Sequence, residues 1–410
     1  MPSLLFTPAH IGPLEIRNRT IRSAAFEDMC DGWRPTEKLR NYHMSVARGG
    51  IGMTTIAYAS VTRSGISFDK QLWLRPEIVP ELRALVDEIH STGAKVSIQL
   101  GHCGNMSHIS TAGQVPISAS TGFNLYAYTP VRGMREDEIL AMADSFGEAI
   151  KLAIECGFDC VEIHAGHGYL ISQFLSPYTN KRRDKWGGDL DHRMNFMRLC
   201  MEKVMRAADG KIAVVAKTNM RDGFKGGNGL EEGIRIAQEL EQLGLHGLVL
   251  SGGFVSKAPM YVMRGEMPIY TMTHYMKEWW LKYSVRLFGG MMIPKEPYRP
   301  LYFLDDALQV RQAVKLPLIY VGGCANRDDI EKVLNSGFEA VQMARALIAE
   351  PDFVNRMREG QVESACEHTN YCIARMYTED MVCHHHCPNL PKGILKEIEE
   401  VKRKNQAHNK

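Results

Sequence analysis

The chain reads as an α/β protein, a (β/α)8 TIM barrel. Three observations predict it: eight short apolar runs with β character, amphipathic helix-period segments between them, and 410 residues, enough for one large barrel domain. An open doubly wound sheet is the second architecture that fits the alternation.

The strands are expected at 19–24 (RTIRSA), 52–59 (GMTTIAYA), 94–100 (AKVSIQL), 159–164 (DCVEIH), 212–218 (IAVVAKT), 247–251 (GLVLS), 316–323 (LPLIYVGG) and 339–344 (EAVQMA). A helix over 137–156 places Phe146, Ala149, Ile150, Ala153 and Ile154 on one face, with Gly157 at its C-cap. Another over 191–208 opens at Asp191 and lines up Phe196, Leu199, Cys200 and Val204.

Between the sixth and seventh strands an inserted lobe, about 254–300, is rich in methionine and aromatics and should hold a helix near 273–287. It reads equally as a private mini-core or dimer contact and as a substrate lid. The barrel domain is expected over 1–360 and a Cys/His-rich extension over 361–410, ending in a solvated helix, LKEIEEVKRKNQAHNK.

With 49 basic and 47 acidic residues the net charge is +2, so no basic field invites nucleic acid. No signal-like leader and no eighteen-residue apolar run occur, so a cytoplasmic protein off the membrane is expected. Cys30, Cys103, Cys156, Cys160, Cys200 and Cys324 are scattered singly and read as reduced, buried thiols. The expected partner is a small-molecule substrate, and a homo-oligomer stays open.

In such a barrel the strand C-termini build the site, and a phosphate commonly sits behind strands seven and eight. After strand seven, Gly322 and Gly323 precede a helix N-terminus; after strand eight, Arg345 offers a bidentate phosphate contact. GxGxxG and GxxxxGK[ST] are absent, so a single phosphate such as that of flavin mononucleotide fits better than a dinucleotide. Gln99 offers a donor and an acceptor, and Lys217 a fixed cation, at the ends of strands three and five. Strand four runs into HAGHGY. His164 and His167 could donate to one oxygen, and Tyr169, with an ordinary pKa near about 10, holds a transferable proton. A metal pair and core histidines are the competing readings of these six residues.

The segment IHAGHGYLISQFLSPYTNKRRDKWGGDLDHRMNF resembles the signature of the old yellow enzyme family of FMN-dependent NAD(P)H oxidoreductases. The likeness runs from FTPAHIGPLEIRNRT to RALIAEPDF, essentially the whole barrel. It implies that Ala24, Ala25 and Phe26 touch the isoalloxazine and that Tyr58 makes a backbone contact. It also implies that Gln99 and Lys217, more often Arg, meet the pyrimidine edge. Gly322, Gly323, Ala344 and Arg345 match the phosphate site, His164 and His167 the pair that binds an enone carbonyl oxygen, and Tyr169 the proton donor. The implied reaction is ping-pong: NAD(P)H reduces FMN, then an activated alkene takes the hydride. Phe26 stands where trimethylamine dehydrogenase, a relative, carries a flavin-linking cysteine, so the FMN should be non-covalent. An amine dehydrogenase of that type and a flavin-binding redox module without an alkene substrate are the alternatives.

Relatives such as 2,4-dienoyl-CoA reductase hold a 4Fe–4S cluster in the tail through C-x2-C-x3-C-x11-C. Here Cys366, Cys372, Cys383 and Cys387 are spaced C-x5-C-x10-C-x3-C, with Thr369 in the second cysteine's place. The chain stops soon after Cys387, so an electron-relay cluster is not expected. Zinc, a rearranged cluster and plain reduced thiols stay open, and no metal ligand is assigned.

Overall fold

The computed structural model describes residues 3–408 apart from 126, 127, 277 and 377. Among them eight parallel strands close into a barrel: β1 (Thr20–Arg22), β2 (Met53–Ser60), β3 (Lys95–Gly101), β4 (Cys160–His164), β5 (Ala213–Asn219), β6 (Gly247–Ser251), β7 (Leu318–Val321) and β8 (Ala340–Met343). Pairing of β1 with both β8 and β2 seals the ring. Each expected strand is present within two residues at either end.

Side-chain alternation along the strands decides what the barrel encloses. Val161, Ile163, Val214, Ala216, Leu248 and Leu250 point outward and join one core with the surrounding helices. Their neighbours Cys160, Ala213, Val215, Val249, Ile319 and Ala340 form a separate inner cluster, closed from below by a hairpin of Ala9–Ile11 and Leu14–Ile16. Higher up, the same inward registers carry Gln99, Glu162, His164, Lys217, Ser251 and Gln342, all buried. The barrel is therefore apolar at its base and polar toward the strand C-termini.

The outer ring comprises α1 (Glu37–Arg48), α2 (Val79–His90), α3 (Glu136–Glu155), α4 (Leu190–Ala208), α5 (Leu230–Gln242), α6 (Leu304–Ala313) and α7 (Arg327–Asn335). Helix α3 starts on a reciprocal bond, the Arg135 N–H donating to Glu138 at 2.8 Å. It buries Ile139, Met142, Phe146, Ile150 and Ala153 against the core, about 1.5–3 kcal/mol for each large side chain. Gly157, at φ +85°, lies one residue beyond its cap Cys156. Helix α4 begins two residues earlier in its capping than expected: Asp189, rather than Asp191, accepts the His192 N–H at 2.9 Å. Leu199 on this helix is only half-buried, while Phe196, Cys200 and Val204 are in the core.

The lobe between β6 and β7 contains the helix expected near 273–287, displaced to Trp279–Met292, together with two shorter ones, Pro259–Met263 and Ile269–His274. Its core is shared rather than private: Met260, Met267 and Met272 pack with Ile348, Cys372, Ile373, Met381 and Cys383. The final helix, Lys392–His408, is likewise docked rather than simply solvated. Ile394, Ile398 and Val401 are buried, and Glu397 accepts the backbone N–H groups of Tyr270 and Thr271, each at 2.8 Å. The six scattered cysteines are buried and free. No helix is long and apolar enough to cross a membrane among the described residues.

Candidate active site

Glu162 is the hub of the polar layer inside the barrel. One carboxylate oxygen accepts the Gln99 amide at 2.6 Å and pairs with the Lys217 ammonium at 2.9 Å; the other accepts the Gln342 amide at 2.7 Å. Gln342 in turn accepts the Ser23 hydroxyl at 2.9 Å. Burial pushes the Lys217 ammonium below the ordinary lysine range, and Glu162 pulls it back. Gln99 and Lys217 are thus brought together as expected. Glu162, Gln342 and Ser23 were not anticipated, although a glutamate inside the apolar run DCVEIH, two residues before His164, was the available signal.

The HAGHGY turn crosses the rim above this layer. Its glycines have distinct reasons. A Cβ at Gly166 would lie 2.8 Å from the Asn219 side-chain oxygen, and one at Gly168 (φ +79°) would lie 2.5 Å from the Phe254 ring. Between them His167 sits at φ +57°, held by its N–H donating to Asn219 Oδ1 at 3.0 Å. His167 Nε2 and Ser251 Oγ are hydrogen-bonded at 2.7 Å. The His164 and Tyr169 rings stack at 4.2 Å, His164 meets His167 edge-on at 5.1 Å, and Tyr58 packs edge-on to Tyr169 at 5.0 Å. His164 Nδ1 is buried without a hydrogen-bond partner among the described residues. Burial first, then the Lys217 charge, drives His167 down to about 3, and His164 falls well below its ordinary value, so both rings are neutral. Neutral imidazoles argue for hydrogen-bond donors rather than a charged pair.

The other expected residues divide into two groups. Ala24 and Tyr58 join Tyr169 around Cys103 and Met106. Phe26 stacks on Phe68 at 4.8 Å, whereas Ala25 faces the methionine-rich core of the lobe and tail. Across the same rim, Gly322 (φ +132°) and Gly323 (φ +78°) hold backbone that L side chains rarely adopt, and a Cβ on Gly323 would strike Leu301 N at 2.6 Å. Ala344 leads into a short helix, Arg345–Ala349. Arg345 donates to Asn370 Oδ1 in the tail at 2.7 Å and lies over the Tyr298 ring at 5.4 Å. Burial raises the hydroxyls of Tyr298 and Tyr302, and the Arg345 charge opposes this. The aromatic wall of Tyr178, Phe224 and Phe254 behind His167 was not anticipated; its rings meet edge to face at 5.0–6.0 Å. They come from three separate loops, and no local spacing signals them.

A parallel barrel with a histidine pair, a tyrosine and a diglycine turn on its C-terminal rim points to a class, the flavin-dependent oxidoreductase barrels. Residues 4–258 match the model of the NADH:flavin oxidoreductase / NADH oxidase family, and the chain belongs to that family. It is accordingly an oxidoreductase of the old yellow enzyme type, using non-covalent FMN with NAD(P)H as electron donor. The chain is 37% identical over 376 residues to 4,4'-dithiodibutanoate disulfide reductase of Rhodococcus erythropolis, covering 91% of this chain and 93% of that protein. It is 31% identical over 363 residues to a metal reductase of Desulforamulus reducens, covering 88% of this chain but only 49% of that one. Among solved structures, the old yellow enzyme homologue from Zymomonas mobilis superposes with a TM-score of 0.70 at 21% identity, over 88% of this chain and 94% of that one, a likeness of fold.

Proposed function

We propose that this chain reduces the activated C=C bond of α,β-unsaturated carbonyl compounds. The observation that carries the reading is the buried Nδ1 of His164 beside the Tyr169 ring, which has no hydrogen-bond partner among the described residues.

The residues present fit FMN. Gly322 and Gly323 give the turn after β7 no side chains of its own, Arg345 supplies the cation, and Phe26 has no group to form a flavin bond. In this reading Gly322, Gly323, Ala344 and Arg345 hold the phosphate, Gln99 and Lys217 the pyrimidine edge, and Ala24, Ala25, Phe26 and Tyr58 the ring faces. When bound, FMN supplies the hydride, taken from NAD(P)H and passed to the β-carbon of the alkene.

The rest is the work of side chains. His164 and His167 each offer one N–H to the carbonyl oxygen. Ser251 Oγ lies 2.7 Å from His167 Nε2; with the hydroxyl as donor in this reading, the ring proton stays on Nδ1 and faces the substrate oxygen. Both bonds strengthen as the oxygen gains enolate charge. Tyr169 delivers its phenolic proton to the α-carbon.

Anaerobic protein reduced with NADH or NADPH and then reoxidised by cyclohexenone tests this. Tyr169→Phe should slow reoxidation by about 10²–10⁴-fold while flavin reduction stays near the parent rate; equal loss in both half-reactions contradicts the proton-donor role. A second reading, reductive cleavage of a disulfide, is favoured by the near full-length match to the Rhodococcus erythropolis protein. Offering 4,4'-dithiodibutanoate to the same reduced protein separates the two.

A further inference from the structure

The helix Trp279–Met292 in the inserted lobe is amphipathic the wrong way round. At about 3.6 residues per turn, Trp279, Trp280, Tyr283, Leu287, Phe288 and Met291 share one half of its surface with Ser284 and Gly290. All eight are exposed, and none carries a charge. The basic residues of the helix, Lys282 and Arg286, lie on the other half and turn inward. Lys282 Nζ donates to the His274 carbonyl at 3.0 Å. Arg286 Nε donates to Thr273 Oγ1 at 3.0 Å, and its guanidinium lies over the Tyr270 ring at 4.6 Å. A helix whose outer face meets only water carries the opposite pattern, charge outside and the apolar stripe toward the core.

The size of the face says what it is fitted to. Exposure of its six large side chains runs from 47% at Phe288 to 78% at Met291. With roughly 150–250 Å² for each whole aromatic side chain, the six together present on the order of 800 Å². The largest apolar patch on an ordinary monomer is about 300–600 Å², whereas a stable protein interface takes about 800 Å² from each partner.

We propose that a second copy of this chain covers this face, the two helices packed against each other across a two-fold axis so that each buries the same patch. Gly290 has open space where a Cβ would stand, so a neighbouring helix can come close. Ser284 donates its hydroxyl to the Trp280 carbonyl at 2.8 Å and keeps that bond when water is excluded. The charge pattern disfavours an anionic membrane as the occupant. A helix lying on lipid turns its lysines and arginines to the headgroups, whereas Lys282 and Arg286 are held by the lobe, and the exposed charge beside the tryptophan pair is that of Glu278.

Sedimentation equilibrium of the full chain with FMN bound tests the proposal. Interfaces of this size hold at micromolar concentration or tighter, so at about 10 µM the parent should sediment at twice the mass of one chain. Trp280→Glu combined with Leu287→Glu sets like charges against each other at the axis and should weaken association at least about 100-fold, with the visible spectrum of bound FMN retained. Should the double variant fail to fold, Tyr283→Lys is measured in its place. A monomeric parent at about 10 µM, or a folded variant that associates as tightly as the parent, overturns the proposal. A monomeric parent that co-sediments with vesicles of anionic phospholipid also overturns it and assigns the face to a membrane surface.

Discussion

Two buried polar clusters in this molecule are built on opposite terms. Inside the barrel, Glu162 receives Gln99 from β3, Lys217 from β5 and Gln342 from β8, so the sheet itself delivers every partner. In the tail, Cys366, Cys372 and Cys383 come from short, irregular segments; burial raises all three thiols, and the Arg345 charge opposes this at Cys366 and Cys372. A cluster closed by its own hydrogen bonds is rigid before any ligand arrives. Buried thiols held by apolar packing have no such frame, and the contrast is between a region ordered by polar pairing and one ordered by packing alone.

The largest effect should follow from opening the closed cluster. Glu162→Ala leaves the Lys217 ammonium buried and unpaired and removes the acceptor of two amides, which should cost about 3–5 kcal/mol. Urea unfolding of parent and variant measures it, and Glu162→Gln should fall between them. A loss below about 1 kcal/mol would mean that water or relaxation completes the layer, and the two clusters would then not differ in kind.

The seam between the two regions makes a smaller, pH-dependent prediction. Asp28, in the loop after β1 at φ +58°, lies near Asp380 and Glu379 of the tail. Burial, opposed by Lys70 at 3.5 Å, raises its carboxyl to about 6. A carboxyl that holds its proton more tightly folded than unfolded stabilises the fold below its unfolded value, and that contribution is lost as pH rises through about 4 to 6. Asp28→Asn, well suited to this backbone conformation, should therefore be more stable than the parent at pH 8, by on the order of 1 kcal/mol after solvent screening, with no difference at pH 4. Thermal midpoints across that range check it; a gap of equal size at both ends would point to a hydrogen bond instead of a charge.

How far the sequence disclosed these regions follows from the range of the contacts involved. Strand positions and the His164, His167, Tyr169 turn were legible because a strand's composition and a turn's glycines are local. Glu162 was half legible: a polar residue in period two with His164 says inward, but its partners sit on β3, β5 and β8. The shared core of Met260, Met272, Ile373 and Met381 was not legible, since residues over a hundred positions apart meet there without any pattern between them. The docking of Ile394, Ile398 and Val401 was masked by the charged residues around them, which suggested a fully solvated helix.

The smallest effect tests whether the closed cluster's order extends to the rim. Ser251 lies at the end of β6 with its hydroxyl on His167 Nε2, and neither ring nitrogen is charged near neutral pH. Ser251→Ala removes one neutral hydrogen bond, about 1 kcal/mol, and with it the preference for a proton on Nδ1. Reoxidation of the reduced flavin by cyclohexenone should slow about fivefold, with flavin reduction by NAD(P)H unchanged and Ser251→Thr restoring most of the rate. A purely structural role for Ser251 would lower the thermal midpoint and slow both half-reactions together. If only the enone step responds, β6 sets the tautomer of His167 as firmly as β5 sets the place of Lys217, and the rim belongs with the closed cluster beneath it.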